Sequence, residues 1–124
     1  MKVLIIDDSS FARMTIHTIM KHILPASAFL LSENGHAGFE VYLAEKPDLI
    51  LTDLLMPKLD GMELVAKIRE HDRTTPIIVM TANIQHAVKA KLDDLGIQGF
   101  IHKPAKFDKI EEIRTLVSRY IHAD

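Results

Sequence analysis

Val3-Leu4-Ile5-Ile6-Asp7-Asp8-Ser9-Ser10 is the stretch whose reading decides the fold. Four branched apolar residues in a row suit a strand covered on both faces, since a strand with one wet face would alternate. The run stops abruptly at two acids. Ser9 or Ser10 then serves as a helix cap. Behind it Ala12, Ile16, Ile19, Met20 and Ile23 recur at intervals of three and four, on one helical face that Pro25 closes. A buried strand feeding a helix through a short polar turn is half of a parallel strand-helix-strand unit.

The unit recurs along the chain. Ala28 to Leu31 is a second apolar run, followed by the turn Asn34-Gly35 and a short helix carrying Phe39, Val41, Tyr42 and Leu43 up to Pro47. Leu49-Ile50-Leu51-Thr52 stops at Asp53, before the loop Met56-Pro57-Lys58-Leu59-Asp60-Gly61 and a stripe of Leu64, Val65 and Ile68. Ile77-Ile78-Val79-Met80 ends at Thr81, and a helix with Val88, Leu92 and Leu95 on one face is stopped by Gly96. Phe100-Ile101-His102 ends at Lys103-Pro104, and Ile110, Ile113, Leu116, Val117, Tyr120 and Ile121 mark a last amphipathic helix. The strand ends fall roughly 20 to 28 residues apart, enough for one crossover helix each. Right-handed crossovers then place helices on both faces of a single five-stranded parallel sheet, an α/β fold.

Composition narrows the function. At 124 residues the expectation is one domain, 1–124, and the chain ends close to its last helix with no sign of an attached output domain. Seventeen acids against fifteen bases, a net charge of −2, give no basic field for phosphates, so no direct nucleic acid partner is expected. No cysteine is present, which excludes disulfides and thiolate chemistry. The apolar start is too short for a signal peptide, and no apolar run is long enough to span a bilayer. The expectation is a cytoplasmic protein without membrane insertion.

Asp7 and Asp8, Asp53, Thr81 and Lys103 all follow carboxyl ends of strands, the edge of a parallel sheet where ligands bind. Carboxylates gathered there repel one another and need a compensating cation. Without cysteine, and with no histidine pair at zinc spacing, Mg²⁺ fits better than zinc; it takes one or two carboxylates and shares a position with a phosphate oxygen. Thr81 and Lys103 are a hydroxyl and an ammonium suited to the other oxygens of that phosphate. The chemistry suggested is phosphoryl transfer with a carboxylate nucleophile.

Asp7-Asp8, then Asp53 with Met56-Pro57 and Asp60-Gly61, then Thr81-Ala82, then Lys103-Pro104 resembles the receiver domain of two-component response regulators, of the stand-alone, CheY-like kind. The resemblance covers essentially the whole chain, in order and spacing. It implies a flavodoxin-like sheet of strand order 2-1-3-4-5. Asp53 would be the phosphoacceptor, served by the phosphohistidine of a sensor histidine kinase or phosphotransfer protein. Asp8, with Asp7 partly through water, would hold Mg²⁺ together with Asp53 and the backbone carbonyl of Leu55. Thr81 and Lys103 would act catalytically on the phosphoryl group, with a cis peptide before Pro104. Thr81 and Phe100 would be the switch residues. The output would pass to a downstream protein through the last two helices and last strand, where Lys89, Lys91, Lys106 and Lys109 lie, with motility control as the implied setting. Such a protein is not an enzyme with its own turnover substrate.

Taken singly, these residues have plainer readings: Asp7 and Asp8 as helix caps, Lys103 and the other lysines as solvated charges, Phe100 as core. Their joint placement is what carries the site. An aspartyl-phosphate phosphohydrolase is a rival reading, but its Asp-X-Asp signature is absent because Leu55 stands in the second position. A phosphorylation-independent receiver-like binding module is another, against which the full acidic set argues. A flavin or dinucleotide site would need glycine and free N–H groups where Asp7 and Asp8 stand. Leu55 and Asn83 occupy positions that set the phosphoryl lifetime in relatives, and Ala105 replaces a frequent bulky residue, which affects the packing of that loop.

Overall fold

A computed structural model describes residues 1–56, 59–82 and 85–121. Five strands, β1 (Lys2–Ile6), β2 (Ala28–Ser32), β3 (Leu49–Asp53), β4 (Ile77–Thr81) and β5 (Gly99–His102), alternate with α1 (Ser10–Ile23), α2 (Gly35–Glu45), α3 (Gly61–His71), α4 (His86–Asp94) and α5 (Ile110–Ser118). All strand pairs are parallel and the order is β2-β1-β3-β4-β5. This is the arrangement that the resemblance implied.

The uninterrupted apolar runs have a simple cause. Successive side chains point to opposite faces, so each strand supplies two cores at once. Val3, Ile5, Leu49, Leu51, Ile78, Met80 and Ile101 pack with Ile16, Ile19, Met20 and Ile23 of α1 and with Ile113 and Val117 of α5. Leu4, Ile6, Ile50, Ile77 and Val79 pack on the other face with Tyr42 of α2, Leu64, Val65 and Ile68 of α3, and Leu92 of α4. Either face alone would leave half of every strand wet. Burial of the β1 side chains Val3 to Ile6 is complete.

Helix starts follow local polar chemistry. The Ser9 hydroxyl accepts from the Ala12 N–H at 3.2 Å, and Asp60 Oδ1 accepts from the Glu63 N–H at 2.9 Å. Asn34-Gly35, read from sequence as a turn, is also a helix start, because Asn34 Oδ1 accepts from the Ala37 N–H at 2.8 Å. Gly96 takes φ +71 just past α4, the left-handed stop that its position predicts.

Two details depart from the periodic reading. Leu43 is half exposed while Tyr42 is buried, because the inward face of α2 runs through Gly35, Gly38 and Tyr42 and turns Leu43 away from it. The last helix ends at Ser118, preceded by a 3-10 turn over Phe107–Lys109. Tyr120 therefore leaves the helical face and is exposed, whereas Ile121 folds back into the core.

Candidate phosphoryl and metal site

Strand ends bring the predicted residues together. Asp7 follows β1, Asp53 closes the neighbouring β3, Thr81 closes β4, and Lys103 follows β5. Carboxylate oxygens of Asp7, Asp8 and Asp53 lie within 4.8 Å of one another. Asp7 is 1% exposed and Asp53 6%, whereas Asp8 is open to solvent. The Lys103 ammonium lies between the two buried acids, 2.9 Å from Asp7 Oδ2 and 3.2 Å from Asp53 Oδ2. The sequence paired Lys103 with Asp53; the structure adds Asp7 as the nearer partner.

Backbone bonds hold this cluster in place. Asp7 Oδ1 accepts from the Ser9 N–H at 3.0 Å, so one carboxylate serves both the turn into α1 and the lysine. The Arg13 guanidinium of α1 donates to the Asp7 carbonyl at 2.7 Å. Reasoning from sequence missed Arg13, because one arginine on an otherwise amphipathic helix carries no signal. The Lys103 N–H donates to the Thr81 carbonyl at 2.9 Å, which ties the hydroxyl-bearing strand end to the lysine loop. The Lys103–Pro104 peptide is cis.

Electrostatics single out Asp53. Burial first, and then the negative charge of Asp7, push its carboxyl up to about 6 against the pull of Lys103. Burial works to lower Lys103, but its bonds to Asp7 and Asp53 prevail and raise it, so it stays an ammonium. Two buried carboxylates plus a third nearby therefore exceed what one lysine neutralises. The donor set is all oxygen, on rigid strand ends, and fits a hard divalent cation such as Mg²⁺.

The remaining predicted residues are placed as follows. The Leu55 side chain, two residues beyond Asp53, is 77% exposed and adds no polar group beside the acid. Thr81 is 6% exposed. Phe100 is half-buried in β5 against the core layer that holds Leu92 and Val88. Pro57 and Asn83 lie outside the described residues. Ala105 is half-buried against the core layer of α1 and α5 and, with Asp7, Phe11, Thr15 and Lys103, borders a small cavity of about 50 Å³. Lys106 and Lys109 border a groove over β5 and α5 with Phe100 and Leu116, while Lys89 pairs with Asp93 at 3.5 Å and Lys91 is exposed. Among the described residues no helix is long and apolar enough to cross a membrane.

Comparison with known proteins agrees with this geometry. The sequence matches the family model of the response regulator receiver domain over residues 3–115. It is 33% identical over 115 residues to chemotaxis protein CheY of Listeria monocytogenes, a match covering 90% of this chain and 93% of that protein. It is also 33% identical over 114 residues to chemotaxis protein CheY of Bacillus subtilis, covering 90% and 92% of the two chains. Among solved structures, chemotaxis protein CheY4 of Vibrio cholerae superimposes with a TM-score of 0.84 over 97% of this chain and 98% of that one; at 23% identity this is a likeness of fold.

Proposed function

We propose, from the premise that the chain belongs to the response regulator receiver domain family and is CheY-like, that Asp53 accepts a phosphoryl group from a partner's phosphohistidine. The observation that carries this reading is the meeting of three carboxylates within 4.8 Å, two of them bridged by Lys103. An Asp53 oxygen attacks phosphorus, the P–N bond breaks, and the imidazole leaves with the electron pair and takes up a proton. Lys103, already 3.2 Å from Asp53, neutralises a phosphoryl oxygen. The Thr81 hydroxyl, at the end of the strand paired with β3, donates to another.

Asp7, Asp8 and Asp53, with the Leu55 carbonyl, are the residues that would hold Mg²⁺. When bound, the ion supplies positive charge against the phosphoryl oxygens and relieves the repulsion among the acids. The product carries about two negative charges where one carboxylate stood. Movement of Thr81 and Lys103 towards them biases the surface around Phe100 and the groove over β5 and α5, and a downstream protein reads the difference. Phosphorylation is the signal and not a turnover step, so the protein has no separate substrate. The chemotaxis names of its relatives make motility control the proposed setting.

Incubation with acetyl phosphate and Mg²⁺ should add one phosphoryl mass to the intact protein, lost in Asp53→Ala and reduced in Lys103→Ala. Retention of the added mass in Asp53→Ala would falsify the assignment of the acceptor.

A further inference from the structure

Arg69, near the C-terminal end of α3, has no part in the site described above, yet it is only 3% exposed. Its guanidinium donates three bonds, all to backbone carbonyls: Nε to Leu95 at 2.8 Å, Nη2 to Gly96 at 3.0 Å and Nη1 to Asp72 at 2.8 Å. Leu95 and Gly96 are the cap and the following residue of α4, where orphan carbonyls and the negative end of the helix dipole face outwards. Asp72 caps α3. One planar cation therefore fastens the C-terminal ends of two helices together. Arg73 adds a weaker bond to the Asp94 carbonyl at 3.4 Å.

The other end of α4 is held differently. Its N-cap, Gln85, makes no side-chain cap bond, and no acid stands in the first turn. His86, Ala87, Lys89 and Ala90 are exposed and Val88 is half-buried; the one buried side chain of α4 is Leu92, towards its C-terminal end. This N-terminal end follows β4, whose last residue is Thr81, while the fastened end lies at the far edge of the sheet. A rod anchored at one end responds to a push at the other by pivoting. We propose that Arg69 is the positioning residue of the switch. It fixes the C-terminal end of α4, so that a change at Thr81 is expressed at the helix N-terminus and in the Phe100 layer instead of dissipating along the helix.

This inference rests on the phosphoacceptor reading, and hydrogen exchange followed by mass spectrometry on the full chain separates the two. Beryllium fluoride with Mg²⁺ serves as the phosphoryl mimic. In the unmodified protein the mimic should alter exchange in residues 86–90 and leave residues 93–98 unchanged. In Arg69→Met, exchange at 93–98 should rise about tenfold without ligand, and the mimic's effect should then spread over 86–98. Arg69→Lys keeps the cation but loses the planar fork, should lie between the two, and serves alone where Arg69→Met folds poorly. A residue that merely stabilises the fold would speed exchange without redistributing the mimic's effect, and that result in Arg69→Met overturns the proposal. Equal responses at both ends of α4 in the unmodified protein overturn it while leaving Asp53 as acceptor. A mimic with no effect anywhere overturns both.

Discussion

Asp53 is held in a charged form that its surroundings oppose. Its carboxyl is raised from 3.8 to about 6, mainly by burial and then by Asp7. A raised acid favours folding while protonated: its contribution is fully present below the ordinary carboxylate pKa and is lost as pH rises through about 6. Removing the charge should therefore stabilise the metal-free protein near neutrality. Asp53→Asn in chelator should gain about 1 to 3 kcal/mol over the parent at neutral pH, and the gain should shrink as pH falls towards 4. Urea unfolding at several pH values checks this; a gain independent of pH would mean that Asp53 is not the strained charge. Lys103 offsets part of this repulsion, since its one ammonium reaches both buried acids.

Elements meet at the site through backbone, which leaves little room for side chains. Gly61, first residue of α3, donates its N–H to the Leu54 carbonyl at 2.8 Å. A Cβ there would come 2.3 Å from the Asp53 carbonyl oxygen and 2.7 Å from Leu54 Cα. Neither atom can swing aside. Gly61→Ala should thus push α3 off the end of β3, cost about 2 kcal/mol or more, and slow phosphoryl uptake at Asp53 together with stability. Parent-like melting and uptake would show that the helix start is not seated on the acceptor strand. The Asp60-Gly61 pair was visible in sequence as a loop signal; that its glycine is required by contact with Asp53 was not, because the two residues meet only across a helix-strand junction. Asp72 was also missed. Burial works to raise its carboxyl, but hydrogen bonds from Thr75 and Thr74 prevail and hold it well below the usual carboxylate range, and the Tyr42 hydroxyl adds a further bond at 3.1 Å. A polar cluster between α3 and β4 looks in sequence like any loop.

On the scale of the whole molecule, the sheet edge couples ion binding to global stability, since a ligand that binds only the folded state stabilises it by mass action. Mg²⁺ should raise the melting temperature of the parent by a few degrees. Asp8→Asn, at an exposed position, should melt within about 1 to 2 °C of the metal-free parent and lose the Mg²⁺-dependent rise. An undiminished rise in that variant would place the ion elsewhere. Asp53→Asn gains stability without metal whereas Asp8→Asn leaves it nearly unchanged, so the two variants together separate relief of repulsion from loss of a ligand.

The linear sequence by itself determined the alternation of strand and helix, because doubly covered strands must be apolar at every position and helices at every third or fourth. It also determined that Asp7, Asp8, Asp53, Thr81 and Lys103 share one edge, because parallel strands joined by crossover helices all end on the same side. The strand order came through family resemblance and not through spacing. Only the tertiary structure decided which groups touch: that Lys103 is nearer to Asp7 than to Asp53, that Arg13 holds the Asp7 carbonyl, and that buried Arg69 joins the ends of α3 and α4. Those contacts join residues up to 96 positions apart across strand ends and helix termini. Periodicity specifies the face on which a side chain lies; distances between faces are set by how two cores pack against one sheet.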